Sequence, residues 1–311
     1  MAASFRDAAA LPECADSWTI AGMKTRIAVI GGSGLYEIDG VKLLDDVEIA
    51  TPFGNPSDRI AIAEIGGERA AFLPRHGRGH RFLPSEVPSR ANLWALKSLG
   101  VEQVISISAV GSLAEECAPG SFVLPDQLID RTIRRPSSFF GDGVVGHVSF
   151  AEPFCPGMRE RIAAVLSRSG HAVRDRATLV CMEGPAFSSR AESLLHRSWG
   201  AHLVGMTALP EAKLAREAEL CYATVAMVTD WDCWRGEGEG VTLEMVLATM
   251  RQNVQDIKRA LPGLVAAIAD RGDCPCRHAA ASAIVTDPSL VTAEAKQRLQ
   301  LLYGRYWAAT A

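Results

Sequence analysis

Residues 221–234 read CYATVAMVTDWDCW, an apolar run followed at once by two aspartates and two tryptophans. The run 221–228 is short, partly β-branched and free of charge, which is typical of a strand buried on both faces of a sheet. Ligands of α/β sheets bind beyond the carboxyl ends of strands, where Asp230 and Asp232 would emerge. Side chains two apart on a strand share a face, so the pattern predicts that both carboxylates address one ligand.

The two aspartates favour a particular chemistry. Carboxylates this close together cannot both ionise at low cost in a dry site, so the pKa of one should rise. A protonated acid beside an ionised one suits a purine such as adenine, which offers a hydrogen-bond donor at N6 and an acceptor at N7. A solvated Asp-x-Asp loop and half of a metal site are the alternatives that these residues alone leave open.

Composition restricts the class of protein. The chain has 311 residues, 48% of them hydrophobic and 22% charged, which is enough for a substantial core. Its net charge of −4 does not indicate nucleic acid or a membrane surface as a partner. No apolar run approaches the roughly 20 residues that span a bilayer, and we recognise no secretory signal. The eight cysteines are scattered, which predicts a reduced, cytoplasmic location.

Strand-like and helix-like segments alternate along the chain. Apolar runs predict strands at 26–30, 70–73, 101–109, 178–182 and 202–206, besides the strand at 221–228. Helical spacing of apolar residues predicts helices at 92–99, 158–168, 211–219 and, after an N-cap at Thr242, along 243–261. The alternation predicts an α/β fold with a largely internal sheet.

We predict three segments. Residues 1–23 lack hydrophobic periodicity, so we expect a flexible N-terminal extension there. Residues 24–269 form the domain, and a change of composition at Asp270-Arg271-Gly272-Asp273 makes 270–311 a C-terminal appendage. Within it, Cys274-Pro-Cys276 is expected at the surface in a structural role, because cysteines this close form a strained disulfide at best.

Several predicted strand ends suit an anion. Gly31-Gly32-Ser33-Gly34 can bring amide groups and a hydroxyl close to a phosphate, although such turns are as often plain turn chemistry. Arg75-His76 adds a guanidinium fork and a second donor, and Ser108-Ala109 and Met206-Thr207 add hydroxyls. Three further arginines, expected in solvent or at a subunit contact, form a basic loop at Arg131, Arg134 and Arg135.

Together these motifs resemble the 5′-methylthioadenosine phosphorylases, in the trimeric branch of the purine nucleoside phosphorylase family. The resemblance follows the chain in order over about residues 24–268. Its most specific part is 229–234, because relatives acting on 6-oxopurines have an asparagine in the base pocket. The other motifs that carry it are 26–34, 51–54, 75–77, 91–96, 109–111, 126–131, 151–155, 183–193 and 206–207.

The resemblance implies roles for residues at matching positions. The implied phosphate site consists of Ser33, Arg75, His76, Ser108, the Ala109 amide and Thr207. Met206 would pack under the ribose, and the base pocket would hold Phe187, Ser188, Asp230, Asp232 and, through its backbone, Trp231. The pocket for the methylthio group would hold Leu243, Val246 and, from a neighbouring subunit, His147.

The implied activity is that of a pentosyltransferase. Phosphorolysis of 5′-methylthioadenosine would give adenine and 5-methylthioribose 1-phosphate, for purine and methionine salvage. Asp230 would protonate N7, and Asp232 would either support that acid or hold the nearby amine. No step needs a metal or an organic cofactor, and phosphate is a co-substrate. The implied fold is a single domain with a twisted mixed β-sheet flanked by helices, assembled as a homotrimer or a dimer of trimers.

Some positions depart from the family pattern, and three other functions stay open, one of them a redox or metal protein that rests only on Cys274-Pro-Cys276. Ser33 replaces a threonine, Ala186 stands where an arginine is usual, and Pro88-Ser89 replaces Asn-Tyr. A phosphorylase of 6-oxopurine nucleosides or 5′-methylthioinosine is the alternative enzyme, against which the aspartate pair argues. A nucleotide-binding module built on Gly31–Gly34 is the alternative from another class, and it lacks the third glycine of the fingerprint.

Overall fold

One mixed β-sheet runs through the protein in the computed structural model, which describes residues 24–32, 41–235, 243–270 and 272–307. Within these ranges, the strands are β1 (Ile27–Gly31), β2 (Lys42–Val47), β3 (Ile60–Ile65), β4 (Glu68–Pro74), β5 (Gln103–Ser112), β6 (Phe122–Leu124), β7 (Gln127–Arg131), β8 (Val173–Asp175), β9 (Thr178–Met182), β10 (Leu203–Gly205) and β11 (Cys221–Asp230). The α-helices are α1 (Ser89–Ser98), α2 (Pro156–Arg168), α3 (Arg190–Ser198), α4 (Ala208–Glu217), α5 (Leu243–Ile268) and α6 (Ala293–Trp307).

The order of strands makes β5 the centre of the sheet. The main path is β2-β3-β4-β1-β5-β10-β9-β7, and β11 pairs with both β5 and β6. Strands β1, β5 and β11 are parallel, whereas β2 to β4 and the β5–β10 pair are antiparallel. The predicted α/β fold with a mixed sheet flanked by helices is therefore confirmed.

Helices cover both faces of the sheet. In β1 the apolar residues alternate between two core clusters, with Ala28 and Ile30 in one and Ile27 and Val29 in the other. The first cluster includes residues of α1, α4 and α6, and the second includes residues of α2 and α5. Because both faces are covered, β1 is buried along its whole length and β11 is buried from Cys221 to Thr229, as the uninterrupted run in β11 indicated.

The C-terminal segment packs onto the domain. Leu299, Leu302 and Tyr303 of α6 belong to the same buried cluster as α1 and α4. Glu219 accepts a hydrogen bond from the backbone N–H of Ala280 (3.1 Å) and also contacts the side chains of Arg305 and Tyr306. Residues 272–307 are thus part of the folded body, although the sequence suggested an appendage by its composition alone.

Some sequence-based expectations need correction or fall outside the described ranges. The prediction that Cys274-Pro-Cys276 lies on the surface is wrong for Cys276, which is buried. Residues 1–23 and the predicted N-cap Thr242 are outside the described residues. No described helix is both long enough and apolar enough to cross a membrane.

Candidate active site

A cavity of about 450 Å³ opens where the sheet divides. Strand β5 pairs with β1 as far as Ser106 and with β10 from Gly111 onward, while β11 covers its other edge. Both β1 and β10 pair with the same edge of β5, and between them no described strand pairs with residues 107–110. These residues and Gly111 line the cavity. The parting of β1 and β10 therefore creates the site.

Most of the predicted site residues meet in this cavity. Those that line it are Arg75, His76, Ser108, Ala109, Phe187, Ser188, Met206, Thr207, Asp230, Asp232 and Val246. They come from the ends of β4, β5, β9, β10 and β11 and from α5, so residues far apart in sequence converge. This is the arrangement expected beyond the carboxyl ends of strands in an α/β sheet.

Arg75 follows directly on β4 and is almost fully buried, with a side chain 3% exposed. It forms a bidentate ion pair with Glu211, at 2.9 Å from Nε to Oε2 and 2.9 Å from Nη2 to Oε1. It also donates to Ser106 Oγ at 2.7 Å and to the carbonyl of Ile107 at 3.1 Å. Of the five N–H donors of a guanidinium, one on Nη1 has no partner among the described residues.

Glu211 of α4 is the buried counterion, 1% exposed, and it also accepts a hydrogen bond from the Tyr222 hydroxyl at 2.8 Å. Burial disfavours the charged form of Arg75, but the carboxylate of Glu211 outweighs this and raises the pKa of the guanidinium. Glu211 is not among the residues predicted from the sequence, because an acid in the first turn of a helix is ordinarily solvated there. Arg75 is therefore a charge already balanced by the fold.

His76 is half-buried, and its Nδ1 lies 2.9 Å from the carbonyl oxygen of Phe82. A carbonyl can only accept, so Nδ1 carries the proton. Burial, together with the charge of Arg75, lowers the pKa of His76 from 6.5 to about 4. At neutral pH the ring is therefore uncharged, and Nε2 is a hydrogen-bond acceptor rather than a donor.

Two hydroxyls face one another across the cavity wall. Ser108 Oγ of β5 lies 3.1 Å from Thr207 Oγ1, which precedes α4. Both hydroxyls have rotatable protons and can therefore turn a donor toward an oxyanion. Together with Arg75 and the neighbouring Ala109, which also line the cavity, they form a group of donors suited to an anion.

Arg135 holds the loops around Met206. Its guanidinium donates to the carbonyls of Met206 (2.7 Å), Leu209 (2.8 Å) and Glu183 (2.5 Å), and it pairs with the Glu183 carboxylate at 3.0 Å. The expectation that Arg135 is solvated or at a subunit contact is wrong, because its side chain is 2% exposed. Gly184, with φ +67°, permits the close approach, since a Cβ there would lie 2.5 Å from Met206 Sδ.

Asp230 and Asp232 line the cavity beside Gly111, three residues along β5 from Ser108. Asp230 ends β11, and its two oxygens accept from Thr229 Oγ1 at 2.7 Å and from the Asp232 backbone N–H at 2.8 Å. Asp232 lies beyond the strand with φ +52°, so the expectation that the pair shares a strand face is wrong. Both still reach the cavity because Gly111 leaves room; a Cβ there would lie 3.2 Å from Asp230 Oδ1.

The two carboxyl groups differ in their surroundings. Burial raises the pKa of Asp232, and the charge of Asp230 raises it further, while Ser193 and Ser188 lie close enough to moderate the effect. Oδ2 of Asp232 is buried and has no hydrogen-bond partner within the described part of the chain. The predicted rise in one pKa is thus found at Asp232.

Of the remaining predicted residues, Phe187 lines the cavity, whereas Trp231 and His147 do not. Phe187 stands at the mouth of the cavity with 71% of its surface exposed. Trp231 does not line the cavity, because its ring packs against the Arg235 guanidinium at 3.8 Å and edge-on to Trp234. His147 is exposed and also lies outside the cavity lining. Ser33 and the side chain of Leu243 are outside the described residues.

Comparison with known families identifies close relatives. Residues 26–268 match the family model described as the Phosphorylase superfamily. The S-methyl-5′-thioadenosine phosphorylase of Chloroflexus aurantiacus is 52% identical over 283 residues, covering 91% of this chain and 98% of the relative. That of Geobacter sulfurreducens is 48% identical over 285 residues, covering 91% and 100%.

Solved structures give the same result. A methylthioadenosine phosphorylase from an antarctic soil metagenomic library has a TM-score of 0.86 and 45% identity, covering 90% of this chain and 99% of that one. A mutant adenosine/methylthioadenosine phosphorylase from Schistosoma mansoni, in complex with adenine, has a TM-score of 0.75 and 38% identity, covering 79% and 92%. The mixed sheet and its flanking helices are therefore those of this superfamily.

The buried ion pair predicts a large loss of stability when one partner is removed. Replacing Glu211→Gln leaves the Arg75 charge buried without a counterion, and we expect a loss of about 3–5 kcal/mol in the free energy of unfolding. Chemical denaturation measures it, with Glu68→Gln on the exposed part of β4 as the matched control. The double variant Arg75→Met/Glu211→Leu should recover stability, and equal stability of Glu211→Gln and Glu68→Gln would contradict this account.

The lowered pKa of His76 predicts a pH dependence of stability. Between about 4 and 6.5 the unfolded chain binds a proton at this residue that the folded protein does not. The contribution of His76 to the free energy of unfolding should therefore be fully present above pH 6.5 and decrease as the pH falls toward about 4. His76→Gln should show a shallower fall in thermal or urea denaturation, and the slope that remains belongs to other groups, including His196 and His202. Identical slopes for both proteins would rule out this role.

Proposed function

The chain belongs to the phosphorylase superfamily, and we propose that within it the protein is an S-methyl-5′-thioadenosine phosphorylase. It cleaves 5′-methylthioadenosine with inorganic phosphate, giving adenine and 5-methylthioribose 1-phosphate. The observation that carries this proposal is that one cavity is lined both by the anion donors Arg75, Ser108 and Thr207 and by the Asp230–Asp232 pair. The names of relatives at 48–52% identity over nearly the whole chain support it.

The donors around Arg75 suit a phosphate nucleophile. Because Glu211 balances the charge of Arg75, the anion is held by directed hydrogen bonds from Nη1, from the Ser108 and Thr207 hydroxyls and from the Ala109 amide. The bare Nε2 of neutral His76 accepts the remaining proton of hydrogen phosphate. Ser33, outside the described residues, completes this part of the proposal.

The reaction exchanges one bond at C1′ of the ribose for another. The C1′–N9 bond breaks and its electron pair goes to the purine, while a phosphate oxygen forms a bond with C1′. Positive charge develops on the ribose in between, and the phosphate held against it provides electrostatic stabilisation. Met206, fixed by Arg135 through its carbonyl, packs under the ribose and limits its position.

The leaving purine requires a proton at N7. Asp232 is the better donor, because its pKa is raised and its Oδ2 is free to carry and direct a proton. Asp230 already accepts two hydrogen bonds and serves as the carboxylate that receives the N6 amine. The proposed proton donor is therefore Asp232 in place of Asp230, and both stay in the proposed base pocket with Phe187 and Ser188.

The methylthio group needs an apolar pocket at the open side of the cavity. Val246 and Met250 of α5 line this part, and Leu243 begins the same helix. We propose that His147 of a neighbouring subunit completes the pocket in a homotrimer. Exposed apolar side chains on α3, among them Leu194 and Leu195, are suited to such a contact. The proposed location is the cytoplasm, and the proposed reaction uses no metal and no organic cofactor.

The activity is tested by adenine release from 5′-methylthioadenosine with and without inorganic phosphate. We expect release only with phosphate, and much slower turnover of inosine-type nucleosides. Ser108→Ala and Thr207→Val should raise the KM for phosphate, whereas Ser112→Ala, a hydroxyl of β5 that bonds the Ala114 carbonyl, should not. Phosphate-independent release, or preference for inosine-type nucleosides, would refute the assignment.

The aspartate pair predicts different outcomes for two matched variants. Asp232→Asn removes the proton donor, so kcat should fall about 10²–10⁴-fold. The loss of activity that follows deprotonation of Asp232 at higher pH should disappear from its pH–rate profile. Asp230→Asn should mainly raise the KM for adenine nucleosides, and the exposed Asp130→Asn is the control. If Asp230→Asn alone abolishes the pH dependence, the proton belongs to Asp230.

A further inference from the structure

Four cysteines from three parts of the chain meet on the side of the sheet covered by α2 and α5. They are Cys155 before α2, Cys221 at the start of β11, and Cys274 and Cys276 around a short 3₁₀ helix at Pro275–His278. Their sulfur atoms all lie within 4.8 Å of one another, and the Cys155 and Cys274 sulfurs are 3.6 Å apart. Cys155, Cys221 and Cys276 are buried, and Cys274 is half-buried.

This spacing matches one tetrahedral metal ion. With Zn–S bonds of about 2.3 Å, four sulfurs at the corners of a tetrahedron lie about 3.8 Å apart. All four are free cysteines in this structure, and the Cys155 and Cys274 sulfurs are 3.6 Å apart, against about 2.0 Å in a disulfide. An iron–sulfur cluster binds its cysteines to different iron atoms and so spreads them further apart. We propose that Cys155, Cys221, Cys274 and Cys276 form a structural zinc site.

The surroundings suit four thiolates around a divalent ion. Such a centre carries a net negative charge, and Arg216 of α4 donates from Nη1 to Cys276 Sγ at 3.4 Å. The other terminal nitrogen of Arg216 contacts the carbonyl of Glu152, which fixes the guanidinium. The backbone N–H of Cys155 bonds to the carbonyl of Tyr222 at 2.8 Å, which holds Cys155 beside the first residues of β11. Charge-bearing hydrogen bonds of this kind tune and orient metal ligands.

The site has a structural purpose that is separate from the reaction. None of the four cysteines lines the cavity, so bound zinc does not touch the substrate. It joins the start of α2, the start of β11 and the segment after α5, which closes long loops of chain. The same segment leads to α6, whose Tyr303 completes the core. Zinc at this point would hold the C-terminal segment on the domain.

The test is metal analysis of the full-length protein, purified under reducing conditions and reconstituted with zinc. We expect close to one zinc per chain by mass spectrometry of the elements, and loss of zinc in Cys274→Ser and in Cys276→Ser. Cys117→Ser removes a buried thiol outside the cluster and should keep full zinc content. Arg216→Gln should weaken zinc binding about 10–100-fold. Zinc removal from the wild-type protein should lower the midpoint of thermal unfolding.

A measurement on the wild-type protein avoids dependence on variants that fail to fold. Cobalt(II) in place of zinc should give the intense visible bands of a tetrahedral tetrathiolate centre, and zinc should displace it. Absence of these bands, together with zinc content near zero after reconstitution, would overturn the proposal. A second result would also overturn it. Protein isolated without reductant would show disulfides among these cysteines by intact-protein mass, and the same protein would take up no zinc after reduction. Phosphorolysis of 5′-methylthioadenosine is measured in a separate assay, because the proposed activity does not depend on whether the protein binds zinc.

Discussion

Arg75 and Glu211 place a full positive and a full negative charge in a part of the fold that is nearly closed to water. Each charge would be very costly there alone, and each is tolerable because the other lies within hydrogen-bond distance in bidentate geometry. The pair joins the end of β4 to α4, and through Tyr222 it reaches β11. These elements carry Arg75, Thr207 and Asp230, which all line the cavity, so the relative position of these residues depends on this contact.

The order of strands in the sheet creates the cavity that Arg75 lines. Because β1 leaves β5 at Ser106 and β10 joins it at Gly111, no described strand pairs with residues 107–110 of β5 on that edge, and these four residues line the cavity. Backbone amides that would elsewhere satisfy a neighbouring strand are available there to an anion. The cavity is thus a consequence of topology, and its chemistry comes from what stands at the surrounding strand ends.

The sequence predicts the parts of this arrangement that depend on neighbouring residues, and it does not predict those that depend on contacts between distant parts of the chain. Asp230 was identified because an uninterrupted apolar strand followed by an acid is a local pattern. Asp232 was placed on the wrong face, because its positive φ is set by the turn packed against Gly111. Glu211 and Arg135 resemble ordinary surface charges in sequence, and their burial results from partners more than 45 residues away. Cys274 and Cys276 gave a local signal, but the other two cysteines of the cluster lie far from them in sequence.

The packing of α6 has a consequence for synthesis of the protein. Tyr303 belongs to the same buried cluster as Ala28 and Leu93, so this layer of the core joins residues separated by about 270 positions. A nascent chain that has left the ribosome only as far as β11 can form the sheet but not close that layer. Until α6 emerges, apolar surface of α1 stays open to chaperones and to other nascent chains. Completion of the enzyme is therefore a late event in translation.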